Sequence, residues 1–581
     1  MAYVTTGTSR RRELLILRAD LIKERASFDT HYADLANFVL PRRLQFQVTD
    51  TNKGDRRNQK IIDNTATLAA RTTRSGMMSG VTSPARPWFK LTTPDPQLAE
   101  VGPVKEWLDI VTRRMRTVLL KSNIYNVLPL TYGDMATFGT AAILVEEDFD
   151  TVIRFYSLPI GSYYLGLDDK GRPSVYMREF RMTVRQLILR FGGGEANNGI
   201  IDWSKFTSHV KGYYDRRELD TWIDVTHIIR KNEDYKPGLL GSKKFESLYF
   251  EQSASEGTQG QSSEDNIYLR EAGYDYFPVL APRWEVTGED VYGTECPGMA
   301  ALGDIKGLQV LQRRKAQAIE KIVNPPMVGP SALKYARPTI LAGDITYLDE
   351  REGMKGFHPA HEINMPLQYL LEDIDQHQTR IQRAYFEDLF LMLSQSDRRE
   401  ITAREIDERH EEKLLALGPV LEQLNQDLLD PLIDITFLLM EAQGLLPEPP
   451  EEIADSPLKV EYISIMHAAQ KLAGLAGIDR LTEYVARVAE FDPDVIDKFD
   501  SDQAIDEYAE VVGTPPKLVV TDDVVTTIRD NRAKAEAAAA KAEQFNQQAQ
   551  GAKSLADMQV DDNSVFSELI KRGEAGSPLA Q

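Results

Sequence analysis

Prolines decide where the helices of this chain have to stop, and that constrains the fold more than any other feature of the sequence. Proline lacks a backbone N–H and its ring clashes with the preceding turn, so a helical run does not pass through it undisturbed. Ile305, Leu308, Leu311, Ile319 and Ile322 recur at helical spacing until Asn324-Pro-Pro326 stops them. After Pro366 a second stripe begins, with Leu370, Ile374, Ile381, Tyr385, Leu389 and Met392 over residues 367–393. Between the two lie residues 325–365, punctuated by Pro and Gly, so the pattern predicts two helices bracketing a small module.

The same logic runs along the rest of the chain. Leu14, Leu17, Leu21, Phe28, Tyr32, Leu35 and Val39 predict a surface amphipathic helix over residues 10–40, ended by Pro41. A second helix over 64–78 runs into Ser83-Pro-Ala-Arg-Pro87, and Trp88-Phe-Lys-Leu91 reads as the start of a strand. Over 143–176 short β-prone runs alternate with the turns Leu158-Pro-Ile-Gly161 and Asp168-Asp-Lys-Gly171, and strand-like pieces follow near 209–214 and 225–230. Residues 253–265 are polar throughout and read as a surface loop. Thr402 with Glu405 satisfies a capping box and opens the longest leucine series, Leu414 to Leu439, in which Pro419 and Pro431 predict a bent or broken helix. More helices are expected after Pro450, among them an alanine-rich one over 532–550 with almost no apolar face, followed by a frayed end. No repeat of fixed period occurs, and the pattern as a whole is α+β and mostly helical.

Charge and composition narrow the function. Over 581 residues, 89 acidic side chains face 68 basic ones, a formal −21, which argues against a protein that coats nucleic acid by bulk attraction. The ends differ in sign: residues 1–90 hold 16 basic against 8 acidic, and residues 421–581 hold 13 against 31. No stretch is apolar for long enough to cross a membrane as a helix, and the first twelve residues have no apolar segment of the secretory type. The single cysteine, Cys296, permits no intramolecular disulfide and fits folding in a reducing cytoplasm.

No familiar catalytic pattern emerges. There is no Gly-Lys dipeptide and so no Walker A loop. Gly192-Gly-Gly194 reads as a turn, not a phosphate cradle. His361-Glu362 and His410-Glu411 lack the second histidine of a metal helix, and His358 with His361 reads as a surface pair. Acidic runs such as Glu146-Glu147-Asp148 and Asp522-Asp523 read as solvated faces, and Cys296 beside Pro297 as a buried structural thiol. The expectation is a non-enzymatic protein with no catalytic residue, no metal and no cofactor.

Five blocks in order then resemble the portal, or head-to-tail connector, proteins of short-tailed, podovirus-type tailed bacteriophages. They are Ser75-Gly-Met-Met through Ser83-Pro-Ala-Arg-Pro-Trp-Phe89; Phe138-Gly-Thr140 with Glu146; Tyr276-Phe-Pro278 to Arg283-Trp284; Tyr292-Gly293 to Pro297-Gly298 with Asp304-Ile-Lys306; and Thr402-Ala-Arg-Glu-Ile406 with Arg409-His-Glu-Glu412 and Leu417-Gly-Pro419. They cover residues 10–450; Cys296 departs from the small or basic residue expected there.

The resemblance implies a multi-lobed α+β subunit of a dodecameric ring around a DNA channel. Residues 1–297 would be a mixed α/β wing, 298–324 and 366–393 the two stem helices, and 325–365 the clip. Residues 394–400 would be the tunnel loop, 401–450 a kinked helix from wing to crown, 451–550 the helical crown and 551–581 a flexible tail. Gln395, Ser396, Arg398 and Arg399 in the loop, with Arg313, Arg314 and Lys315 on the first stem helix, are the candidates for sequence-independent contact with double-stranded DNA. Arg398 and Arg399 could instead pair with Asp397, Glu400 or Glu405, and the stem cations with a neighbouring subunit. The implied partners are further copies of the chain, DNA, the terminase large subunit, major capsid and scaffolding proteins, a tail adaptor and internal core or ejection proteins, with no membrane. The implied location is the capsid vertex of the virion, and the host cytoplasm during assembly. The competing readings are a monomeric adaptor or scaffold without a channel, and a DNA-processing packaging enzyme, which would need the Walker A loop that is missing.

Overall fold

The structure, a computed structural model, describes residues 10–46, 57–99, 101–193, 200–239, 241–252, 267–323, 325–328, 358–359, 367–395, 417–453, 458–463, 481–482, 484–489, 491, 498–505, 520, 524–539 and 541. The chain divides into two compact units, Met1–Gly474 and Leu475–Gln581.

In the first unit a five-stranded antiparallel sheet has the order β4 (Tyr163–Leu167), β5 (Pro173–Thr183), β6 (Trp222–Lys231), β7 (Phe245–Glu251), β8 (Arg270–Tyr274). Strand side chains alternate between faces. One face, with Tyr164, Met177, Ile228, Leu248 and Phe250, packs on Leu14 and Leu21 of α1 (Arg10–Phe38). The other, with Val225 and Tyr249, packs on Val184, Leu187 and Phe191 of α6 (Val184–Phe191) and Val210 of α7 (Ser208–Asp215). So α1 is no plain surface helix. Its buried face includes Arg11, which donates to the Glu251 carbonyl at 2.6 Å, and Arg25, which donates to the Gly161 and Tyr163 carbonyls, both at 2.7 Å. Nor is 208–215 a strand: Val210, Tyr213 and Tyr214 face the core at steps of three and four, the helical period.

A three-stranded sheet, β3 (Val152–Leu158), β2 (Ala142–Asp148), β9 (Val279–Leu280), packs beside α5 (Ile124–Phe138). Helix α5 is rich in apolar residues and its last eight residues, Thr131–Phe138, are all buried, with Asp134 among them paired to Arg43. Around it lie α2 (Thr65–Gly80), the single turn α3 (Pro96–Ala99) and α4 (Gly102–Lys121). Strand β1 (Phe89–Thr92) pairs with β12 (Lys459–Tyr462), a strand that the sequence did not suggest, while the helices expected after Pro450 are seen at 481–482, 484–489, 501–505 and 524–539.

Proline behaves as the sequence demands at 324–326, where α8 (Pro297–Val323) stops. The backbone of β10 (Met327–Val328) then pairs antiparallel with β11 (His358–Pro359), closing both ends of the 325–365 module on each other. The helix expected over 366–393 is two, α9 (Leu367–Ala384) and α10 (Glu387–Gln395), because Phe386 takes a left-handed φ of 54°. Downstream, α11 (Gly418–Leu424) has Pro419 in its first turn, where no N–H is needed. A π-helical turn, Asn425–Leu429, leads straight into α12 (Asp430–Ala442) with Pro431 in its first turn. The expected disturbance at Pro431 thus takes the form of a widened turn, which accommodates the missing donor without breaking the rod.

In the second unit residues 524–539 are helical and exposed nearly all round, in line with the alanine-rich expectation, and Arg529 pairs with Asp502 at 2.5 Å. The expected loop at 253–265, most of the 325–365 module, residues 396–416, 542–550 and the tail 551–581 lie outside the described residues.

Candidate functional site

The helix pair α8 and α9 is the feature that the rest of the first unit positions. Its root is a close backbone contact. Gly139 ends α5 with φ 77°, and a Cβ there would come within 3.0 Å of the Gly293 carbonyl oxygen. A Cβ on Gly298, in the first turn of α8, would lie 2.9 Å from Cα of Thr137. Gly293 N donates to Thr140 Oγ at 2.7 Å, and Trp284 N to the Gly139 carbonyl at 2.9 Å. Cys296 donates its thiol hydrogen to the Thr137 carbonyl at 3.3 Å, and burial pushes its pKa up to about 12. It is a buried structural thiol, as its sequence context suggested.

Buried Arg283 holds this root to the π-helical turn. Its Nε and Nη2 reach the two carboxylate oxygens of Asp427 at 3.0 and 3.2 Å, and Nη2 also donates to the Gly171 carbonyl at 3.0 Å. Gln423 donates to Asp427 Oδ2 at 2.8 Å. Such a fork-to-carboxylate pair fixes orientation as well as charge. Sequence reasoning quoted Arg283 in one block but had no sign of its partner.

Further along, α8 and α9 lie side by side over Ala301, Ile305, Leu308, Ile374 and Ile381. Asp304 pairs with His377 at 2.8 Å and Arg380 at 3.1 Å, and Lys306 with Asp34 of α1 at 2.6 Å. Asp63, just before α2, binds both helices: its Oδ2 accepts from Gln312 at 2.8 Å and Gln378 at 2.9 Å, while its Oδ1 accepts from Thr65 N at 2.9 Å. Burial alone would raise the Asp63 pKa, but the hydrogen bonds from Thr65, Gln378 and Gln312 hold it below the ordinary carboxylate value. Past the break at Phe386, Phe390 of α10 sits on Gly76 of α2, where a Cβ would fall inside the ring atoms, 2.6 Å from Cγ. Thr73 Oγ donates to the Tyr385 carbonyl at 2.7 Å and holds the break in place.

Of the candidates for DNA contact, Arg313 and Arg314 are exposed on α8 and Lys315 is half-buried. Among the described residues none of the three forms an ion pair. Gln395 is the last residue of α10, and Ser396, Arg398 and Arg399 lie outside the described residues, as do Asp397, Glu400 and Glu405. Beyond Leu311 the apolar residues of α8 are uncovered: Ile319, Ile322 and Val323 are 41, 43 and 77% exposed, and Tyr369 on α9 is 72% exposed. Among the described residues no cluster of His, Cys, Asp or Glu could hold a metal, and no helix is long and apolar enough to cross a membrane.

Comparison with known proteins agrees with the five blocks. The family described as bacteriophage head to tail connecting protein matches residues 11–520. The portal protein of Salmonella phage epsilon15 is 45% identical over 98% of this chain and 99% of its own length. A probable portal protein of Bordetella phage BPP-1 is 39% identical over 96% of this chain and 98% of its own. A chain from the neck of an empty GTA particle covers 78% of this chain and 91% of its own at 11% identity, but its TM-score of 0.32 is too low to add to the argument. With relatives this similar along nearly its whole length, the chain belongs to the bacteriophage head to tail connecting protein family, the structural portal proteins of the head–tail junction of the virion.

Proposed function

We propose that this connector works as a closed ring of about twelve copies whose central channel passes the genome during packaging and ejection, docking first the terminase large subunit and later a tail adaptor. One observation carries the reading: the outer half of α8 and the start of α9 leave Ile319, Ile322, Val323, Tyr369 and Leu371 uncovered in a single subunit. Apolar residues gathered on one pair of helices mark a surface for another protein, and a head-to-tail contact repeated around an axis covers it without leaving an end.

In this reading the wing is 1–297, the stem helices are 298–324 and 366–393, the clip 325–365, the tunnel loop 394–400, the wing-to-crown helix 401–450, the crown 451–550 and the tail 551–581. The β10–β11 ladder supports the clip assignment, since it makes the module one insertion between two helices. The ring needs no bond-making chemistry. An acidic lumen repels phosphates so that DNA slides, while Gln395, Ser396, Arg398 and Arg399, with Arg313, Arg314 and Lys315, give weak contacts that ignore sequence. Capsid and scaffolding proteins would meet the ring at the vertex, and internal core or ejection proteins at the crown. Assembly would take place in the host cytoplasm.

Replacing Ile322 and Val323 with Glu tests the reading. The expected result is a subunit with unchanged far-ultraviolet circular dichroism that no longer forms rings; rings of unaltered size would refute it. Replacing Arg398 and Arg399 with Ala should leave rings intact and change DNA retention or packaging, and unchanged packaging would remove the pair from the contact set.

A further inference from the structure

The five-stranded sheet carries a row of side chains that connector assembly does not use. Arg178 on β5, His227 on β6, Tyr249 on β7 and Arg270 on β8 are direct cross-strand partners and stand on one face. Arg190, from the last turn of α6, reaches the same place, its Cζ 5.7 Å from the Tyr249 ring centre. None of these three arginines forms an ion pair among the described residues. Between them His227 and Tyr249 stack at 3.8 Å and 8°, and His227 Nε2 is bonded to Ser247 Oγ at 2.9 Å. Burial, with the charges of Arg178, Arg190 and Arg270, holds the His227 pKa well below its ordinary value, so the imidazole is neutral and the positive charge belongs to the guanidiniums. Among the described residues Glu146 is the carboxylate whose charge weighs most on Tyr176, Tyr249 and Tyr274, and it forms no ion pair with the arginines.

Two buried polar atoms beside this row lack a partner in good hydrogen-bond geometry, Nε of Arg178 and the hydroxyl of Tyr176, two residues apart on the same face of β5, although the Arg178 side chain comes close enough to the hydroxyl to oppose the rise of its pKa. Tyr176 is fully buried, its ring 5.7 Å from that of His227. Buried polar atoms without partners are rare and costly, and each one asks what satisfies it. A guanidinium Nε can only donate, so its missing partner is an acceptor, and the tyrosine hydroxyl can donate to the same group. Three guanidiniums without an ion pair among the described residues call for an acceptor with more than one negative charge and several oxygens.

We propose that Tyr176, Arg178 and Arg190 form a binding site for a phosphate group, free or within a phosphodiester, with Arg270 at its open edge. The test is phosphorus NMR line broadening of inorganic phosphate by the full chain, in chloride buffer of constant ionic strength. Saturable broadening is expected, weakened about tenfold in Arg178→Gln and in Arg190→Gln, because each removes a charge-assisted hydrogen bond. Tyr176→Phe should weaken it several-fold while making the phosphate-free protein more heat-stable. Arg185→Gln, on the same helix but paired with Asp220 at 3.7 Å, should change nothing. A thymidine oligonucleotide that displaces the phosphate would assign the site to a phosphodiester; failure to displace it would assign the site to the free ion. Broadening that rises with phosphate without saturating, or that survives both arginine substitutions, would overturn the proposal. Arg190 is exposed, so its substitution carries the test even where Arg178→Gln fails to fold.

Discussion

Replacing Gly76 with Ala separates two effects of opposite sign. In the interior of α2, alanine is favoured over glycine by about 1 kcal/mol because it loses less backbone freedom on folding. At this position, however, the added Cβ would fall 2.6 Å from Cγ of Phe390, and still closer to its Cβ and Cδ1. Those are not the free end of a flexible chain: Phe390 is 1% exposed and packs in the main core. Forcing a methyl into such a contact costs about 1–3 kcal/mol, or more where the backbone has to shift. The net expectation is a loss of up to about 2 kcal/mol, and more where the backbone shifts, which means local opening up to about thirtyfold more frequent. Native-state hydrogen exchange on the assembled protein reads this directly, as lost protection in α2 and α10 with little change in the five-stranded sheet. Adding Phe390→Ala should cost far less in the Gly76→Ala background than in the unsubstituted protein, since the clash has gone. A Gly76→Ala protein with greater protection in α2, as propensity alone requires, would refute the packing of α10 on Gly76.

Three further outcomes follow from the same contacts. Because the folded pKa of Asp63 is below its unfolded value of about 3.9, its contribution is present above that pH and lost as pH falls through the folded value, so the stability difference between the unsubstituted protein and Asp63→Asn should be constant above about pH 5 and shrink below about pH 4. Arg283→Met leaves Asp427 buried without its counter-charge and should cost about 3–5 kcal/mol, while Arg283→Met with Asp427→Leu should recover most of it, as measured by denaturant melts. Cys296, with its thiol pKa raised to about 12, should resist thiol reagents at pH 8 in the folded protein and react only after denaturation; rapid labelling of native protein would contradict its burial.

The parts readable in the sequence were those where one residue type acts alone. Pro325 and Pro366 delimit the module because proline cannot donate, whatever surrounds it. The periodic apolar residues of α1 and α8 point to those helices for a similar reason. Properties that depend on a distant partner were hidden. Arg11 and Arg25 looked like the outer face of a surface helix, yet they are buried because strand-end carbonyls accept their hydrogens. Asp63 carried no mark of joining α2 to α8 and α9, since its partners lie more than two hundred residues away. The break at Phe386 was invisible because Tyr385 and Leu389 keep the helical spacing across it. Resemblance, not periodicity, pointed to the blocks around Gly139, Arg283 and Gly298, and the structure brings them into contact at the root of α8.

The ring reading is tested most directly by electron microscopy of the purified protein together with its mass in solution. Closed rings of about twelve subunits, with an axial hole wide enough for duplex DNA, about 20 Å across, are the expected result. A species that stays monomeric at every salt and protein concentration would contradict it, and would leave an adaptor without a channel.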